Sequence, residues 1–249
     1  MSPIPPQLAI LKKFEFERPP VGVKFTAARP EGLPRTDKVM DLCEMLAAAQ
    51  QGRPFYATAD DISCVGTMLL GMRDDDPAFE SGMVGEKLGI YQDARANRRV
   101  YQVLPRIRKG SVNYVSFAPL DKLDFEPDIL IIMASVSQAE ILNRARSYSS
   151  GEPWTARGTP VVGCAWIYID PYVNGQINFT VTGFGFGMKA RQLFPEGRIL
   201  MTIPWDRLPE MMKNLEAMEW YPESFSIGPQ AHKQKMKGVQ AEIRKELSD

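Results

Sequence analysis

A chain of 249 residues, 44% of them hydrophobic, can bury a sizeable core as one large domain or two tightly joined ones. Thirty Lys plus Arg balance thirty Asp plus Glu, so the charge favours neither nucleic acid nor an anionic membrane as a partner. The single histidine, His232, lies in a polar stretch rich in Lys and Gln, which argues against a Ser-His-Asp or Cys-His nucleophile and excludes zinc sites built on two or three histidines of one chain.

Residues 1–19 are Pro-rich and charged and are expected to wrap over the surface; their start lacks the basic residues and apolar run of a signal peptide. Val21 to Phe25 reads as a short strand. Val39, Leu42, Cys43, Leu46 and Ala49 recur at helical spacing, predicting an amphipathic helix from about Thr36 to Gln51 that stops at Gly52. Cys64 to Leu70 is apolar and fits either helix or strand, and Asp74 to Pro77 is a solvated turn. Asp93 to Leu104 reads as a helix and Val112 to Phe117 as a strand.

Asp128 to Met133 is a run of β-formers suited to a buried strand. Ser137 with Glu140 forms a capping-box pattern that opens a helix to about Ser149, before Gly151. Val161 to Ile169 is apolar around Cys164. Ile177 to Val181 reads as a strand, Lys189 to Phe194 as a short helix and Ile199 to Ile203 as a strand. Gln230 to Leu247 is a charged, exposed helix suited to pack on the body or on a second subunit. No stretch reaches the roughly 18–20 apolar residues of a membrane-spanning helix.

Two stretches say the same thing twice. Gly52-x-Pro54-Phe55 is followed by Cys64, and Gly151-x-Pro153-Trp154 by Cys164, at 12 and 13 residues from the glycine. Pro119-Leu120-Asp121-Lys122-Leu123 matches Pro204-Trp205-Asp206-Arg207-Leu208, each a strand end followed by a helix start. The expected fold is therefore α/β or α+β, two similar halves related by a pseudo-twofold axis, with a mixed sheet and flanking helices. The boundaries drawn are a surface segment 1–19, halves 20–125 and 126–218, and a helical extension 219–249.

The order of Pro20 to Phe25, Leu42-Cys43-Glu44, Gly52-x-Pro54-Phe55, Ser63-Cys64, Ala118-Pro119-Leu120 and Phe125-x-Pro127-Asp128 resembles the domain of unknown function numbered 169. The resemblance runs from Pro20 to about Leu215. It implies no assigned activity and no functional residues, so the site candidates rest on the residues themselves.

Cys64 and Cys164 have small neighbours (Ser63, Gly66, Gly163, Ala165) that leave backbone amides free to hydrogen-bond to cluster sulfurs. Such thiolates can bind a soft metal, share an iron–sulfur cluster with Cys43, or form a redox pair. Against this stands the plainer reading that both are small buried hydrophobes, since no CxxC spacing supports a metal. Cys43 lies on an apolar stripe, opposite Leu142 of the other half, and reads as core, or as the third ligand if a cluster exists. Three cysteines cannot all pair within the chain, which fits a reducing compartment, and the expected location is the cytoplasm.

The run Gly183-Phe184-Gly185-Phe186-Gly187-Met188-Lys189 follows a strand and opens a helix, so Gly183, Gly185, Gly187 and Lys189 are candidates to cradle an anionic cofactor, with Arg191 adding charge. Its spacing is neither G-x-G-x-x-G nor a Walker loop, and close backbone packing explains it equally. The basic residues Arg95, Arg98, Arg99, Arg106, Arg108 and Lys109 read as a solvated face, and Lys24 as an outward lysine on a strand.

The expected function is a cytoplasmic cofactor-binding protein, with redox enzymes in view, carrying a thiolate-ligated metal or an iron–sulfur centre on Cys64, Cys164 and Cys43. The rival is a metal-free module that holds a small organic anion or aromatic ligand between the halves, lined by Gly183 to Lys189 and by Phe55, Trp154 and Trp166. Expected partners are a small molecule or cofactor and a second copy of the chain, without nucleic acid or membrane.

Overall fold

The computed structural model describes residues 6–248. Its strands and helices run β1 (Val21–Thr26), α1 (Leu42–Gln50), β2 (Phe55–Ala57), α2 (Gly66–Leu69), α3 (Pro77–Glu80), α4 (Met83–Lys87), α5 (Ala94–Val103) and β3 (Tyr114–Pro119). They continue with β4 (Ile129–Ala134), α6 (Val136–Ser147), a π-helical stretch Ala165–Ile169 leading into α7 (Asp170–Asn174), β5 (Asn178–Val181), α8 (Phe186–Ala190), β6 (Ile199–Pro204), α9 (Leu208–Ala217) and α10 (Gly228–Glu246).

The strands form one sheet in the order β2-β3-β1-β4-β6-β5. Every ladder in it is antiparallel, which corrects the expected mixed sheet; the parallel pairings are two isolated bridges, Arg35 to Tyr56 and Met40 to Ile62. β4 is central and buried along its whole length, which is why it reads as an unbroken apolar run rather than an alternation. Gly22 on β1 permits close packing of the following chain: a Cβ there would stand 2.8 Å from Leu123 Cδ1.

Alternate residues of β4 feed two cores. Ile129, Ile131 and Met133 join Val21, Val23, Phe117 and α1 on one face, together with Trp166 and Tyr168 of the π-helical stretch. Leu130, Ile132 and Ala134 join α6, α9 and the N-terminal residues Leu8, Ile10, Leu11 and Phe14 on the other. The strand order reads 2-3-1 inward from one edge and 5-6-4 inward from the other, a mirrored order that the helices do not share. A twofold axis relating antiparallel β1 and β4 would keep equivalent helices on one face, whereas α1 and α6 lie on opposite faces.

Several boundaries move for identifiable reasons. α1 begins at Leu42, not Thr36, because residues 34–40 are tied to the β2 edge and to Asp61–Ser63 by backbone bonds such as Thr36 N to Tyr56 O (2.8 Å) and Met40 N to Asp61 O (2.9 Å). The box on α6 is Ser135 with Gln138, each side chain meeting the other's backbone, rather than Ser137 with Glu140. The N-terminal segment, of which residues 1–5 lie outside the described residues, is a 3-10 helix at Pro6–Phe14 that packs four apolar side chains into the second core instead of merely covering the surface. The repeated glycines share one role, since Gly52 and Gly151 both take positive φ just beyond α1 and α6, the left-handed stop that suits glycine. The two Pro-x-Asp-basic-Leu sequences both open 3-10 turns after β3 and β6, as the pattern predicts.

Candidate functional site: a cavity lined by three thiols

The three cysteines come from distant segments and open on one cavity of about 240 Å³. Cys43 is the second residue of α1, Cys64 precedes α2, and Cys164 stands in the first turn of the helical run that becomes the π-helix. The wall opposite is Gly185, Phe186, Gly187 and Met188 of the glycine-rich segment, with Arg191 and Asp41 beside it. Phe79, Val84, Leu88, Tyr101 and Val161 make the rest largely apolar.

Burial pushes all three thiols up. Cys43 is half-buried in the cavity wall; burial, then Cys64 and Asp41, raise its pKa to about 12. Burial also raises Cys64 and raises Cys164 well above the ordinary thiol value, with the neighbouring cysteines adding to the effect at Cys164. Opposing this, the backbone amides of Leu42 and Gly66 favour the Cys64 thiolate, and those of Ala165 and Cys164 favour the Cys164 thiolate. Empty, the cavity therefore holds neutral thiols, with amides already aimed at the sulfurs. A cation or electron-poor cluster that displaced the protons would find donors for the resulting thiolates.

The π-helical stretch fixes part of this geometry. Its five residues are all buried, and Tyr168 donates to the Leu42 carbonyl at 2.9 Å, joining the Cys164 segment to the start of α1. Val162, immediately upstream and in the cavity wall, has φ 57°, a left-handed conformation costly for a β-branched side chain. Tyr101 also faces the cavity; burial first, then Cys164 and Tyr91, raise its pKa to about 12.

Among the expected ligands, Cys64 and Cys164 line the same cavity, and Cys43 lines it too although its stripe position read as core. It does both: α1 packs on the first core while the thiol points along its edge into the cavity. The glycine run is split. Gly185 and Gly187 line the thiol cavity, whereas Gly183 lines a separate groove beside β5, and Lys189 is exposed and pairs with Glu196 at 3.6 Å. Helix α8 starts at Phe186, three residues before the expected Lys189.

The aromatics expected to share a cleft do not. Phe55 stacks on Phe117 in the core with ring centroids 5.3 Å apart, Trp166 is buried and donates to Thr159, and Trp154 is exposed and bonds to Ser147. Lys24 donates to the Glu126 carbonyl at 2.7 Å, and Arg106 and Lys109 are spent on the acidic turn at Asp74, Asp75 and Glu80. Sequence reasoning missed Asp41 and Tyr101, and it placed Arg191 only as added charge beside the glycine run. The signal for Asp41 was its place just before Leu42-Cys43-Glu44, as a helix cap next to a thiol.

Among the described residues no three His, Cys, Asp or Glu side chains are grouped to hold a metal ion, and no helix is long and apolar enough to cross a membrane.

The fold and cavity define a mixed α/β protein on an antiparallel sheet, with a thiol-lined cavity on one face. A family model described as uncharacterised ArCR, the domain of unknown function 169, matches residues 9–214, and the chain belongs to that family. An uncharacterised protein of Methanocaldococcus jannaschii, MJ0308, is 26% identical over 227 residues, covering 88% of this chain and 94% of the relative. No solved structure matches the chain.

Proposed function

We propose that this chain is a cofactor-binding protein whose cavity seats an iron–sulfur cluster on Cys43, Cys64 and Cys164. The observation that carries the reading is the meeting of three thiols from three separate segments, with backbone amides aimed at two of the sulfurs. Ligands of one tetrahedral ion with metal–sulfur bonds of about 2.3 Å stand about 3.8 Å apart. The side chains are not grouped for such an ion. A polynuclear cluster holds its thiolates further apart than a single ion does, and it is the form of the reading put to test.

Three protein thiolates on a four-iron cluster leave one iron free for a substrate or an outside ligand, which is the basis for including redox enzymes in the reading. The chain's own part is to strip the three thiols of water, donate amides to their sulfurs and present an apolar wall to whatever enters. Free thiols in this number suit a reducing compartment, and we assign the protein to the cytoplasm. The repeated glycine and proline motifs and the mirrored strand order support descent from two related halves, confined to the sheet by the opposite placement of α1 and α6.

The test is anaerobic purification from an iron-replete host, followed by a visible absorption spectrum with iron and sulfide analysis. The expected protein is coloured, with iron and acid-labile sulfide in equal amounts, and Cys64→Ser loses both. A colourless, iron-free chain would overturn the reading.

The apolar wall and Arg191 favour a second reading, a small organic anion or aromatic molecule bound in the same cavity without metal. Under it, Cys64→Ser and Cys164→Ser leave ligand-induced thermal stabilisation intact, whereas the cluster reading requires the cofactor to be lost.

A further inference from the structure

One carboxylate connects all the moving parts of the cavity. Asp41 is buried at the start of α1, two residues before Cys43, and its own backbone amide donates to Glu44 at 2.7 Å. Its Oδ1 accepts the Ser63 hydroxyl at 2.6 Å, beside Cys64, and its Oδ2 pairs with Arg191. The same guanidinium donates to the Gly187 carbonyl at 3.1 Å. A single arginine thus ties the glycine-rich wall to the segments that carry two of the thiols.

Apart from this pair, the wall is anchored by Met188, which is buried in the first core. Its backbone bond to the neighbouring loop is Phe186 N to Pro160 O at 2.7 Å, and Phe184 and Phe186 are exposed. The segment is bracketed by left-handed residues, Gly183 at φ 95° and Gln192 at φ 51°. Met188 lies over the Cys164 segment: a Cβ on Gly163 would stand 3.9 Å from Met188 Cε. Swinging the wall outward would draw Met188 from the core and uncover Cys164, leaving the strand ladders in place.

We propose that the Asp41–Arg191 ion pair is a latch that holds the glycine-rich wall shut over the three thiols. The proposal rests on the cavity being the functional site, but not on what fills it.

The test measures labelling of Cys164 by a neutral disulfide reagent on the reduced, iron-free full chain, resolved by peptide mass spectrometry. Arg191→Gln is expected to label about tenfold faster than the parent, equivalent to about 1.4 kcal/mol of latch energy. Arg191→Lys, which keeps the charge, is expected to recover most of the protection. Raising salt from low to molar ionic strength should speed labelling of the parent but not of Arg191→Gln, because ions screen a half-exposed pair. Equal rates for the parent and Arg191→Gln, or equal salt acceleration in both, would refute the latch. Should Arg191→Gln fail to fold, a salt-insensitive parent refutes it alone and a salt-accelerated parent supports it. Since the labelled chain carries no iron, a colourless purified protein sinks the cluster reading and leaves the latch standing.

Discussion

The two faces of the sheet are built from the same strands and serve different ends. On the face of α6 and α9, Leu130, Ile132, Ile141, Leu142 and Met201 fill an apolar core, where Asn214 donates to the Ala145 carbonyl at 2.9 Å. On the face of α1, the core of Val21, Val23, Ile131 and Phe117 ends at a cavity where three thiols, a buried carboxylate and a strained valine meet. The contrast separates a face built almost wholly of apolar packing from one that also holds thiols and an ion pair. A chain can tolerate neutral thiols, an ion pair and left-handed residues on one side when the other side is a well-packed apolar core.

The sharpest way to break that contrast is a matched pair of truncations. Leu142→Ala on the α6 face is expected to lose about 2–5 kcal/mol in urea unfolding. Cys64→Ser, in iron-free protein, is expected to lose under about 1 kcal/mol while abolishing cofactor retention. Comparable losses at the two sites would mean that the thiol face is core as well.

A smaller effect concerns the charged edge of the α6 face. The buried Arg146 guanidinium, first by hydrogen bond and then by charge, together with Arg207, holds the Glu152 carboxyl below its ordinary value of 4.5. Its stabilisation is present above pH 4.5 and is lost as pH falls through the lower folded value. Glu152→Gln should cost about 1–3 kcal/mol at neutral pH and flatten this part of the acid-unfolding curve. An unchanged acid limb would show that the pair contributes nothing.

Smaller again, Ser135→Ala removes the cap of α6 and should lower stability by about 1 kcal/mol in the same unfolding assay. The smallest change has the opposite sign. Val162→Gly relieves the left-handed φ in the cavity wall and should stabilise the chain by about 0.5 kcal/mol, raising its melting temperature slightly. A loss instead would place the valine's packing above its strain.

Much of the sheet was legible because its signals are local. The apolar run of β4, the repeated helix stops at Gly52 and Gly151, and the paired strand ends at Pro119 and Pro204 each stand on residues a few positions apart. The start of α1 was misplaced because helical spacing at Val39 competes with tertiary backbone bonds that no periodicity records. The cavity was legible only in part. Cys64 and Cys164 were paired by the repeat, but Cys43 was read as core because an apolar stripe does not reveal which of its edges meets open space. Arg191 was read only as charge beside the glycine run, and its pairing with Asp41 went unread: a carboxylate and a guanidinium 150 positions apart carry no mutual signal until the chain brings them together.

The wide turn at Ala165–Ile169 has one more consequence, for how this chain can change over generations. A π-turn holds one residue more than the α-turn it replaces, so it tolerates a deletion that leaves both flanks helical. Each residue removed from an ordinary α-helix rotates the upstream part by about 100° against the downstream part. Removing the extra residue of the π-turn instead restores an α-turn, so Cys164 and α7 keep their relative register. A one-residue deletion is therefore expected to be better tolerated at Ala165–Ile169 than inside α6, where it would turn the buried face of the helix away from its core.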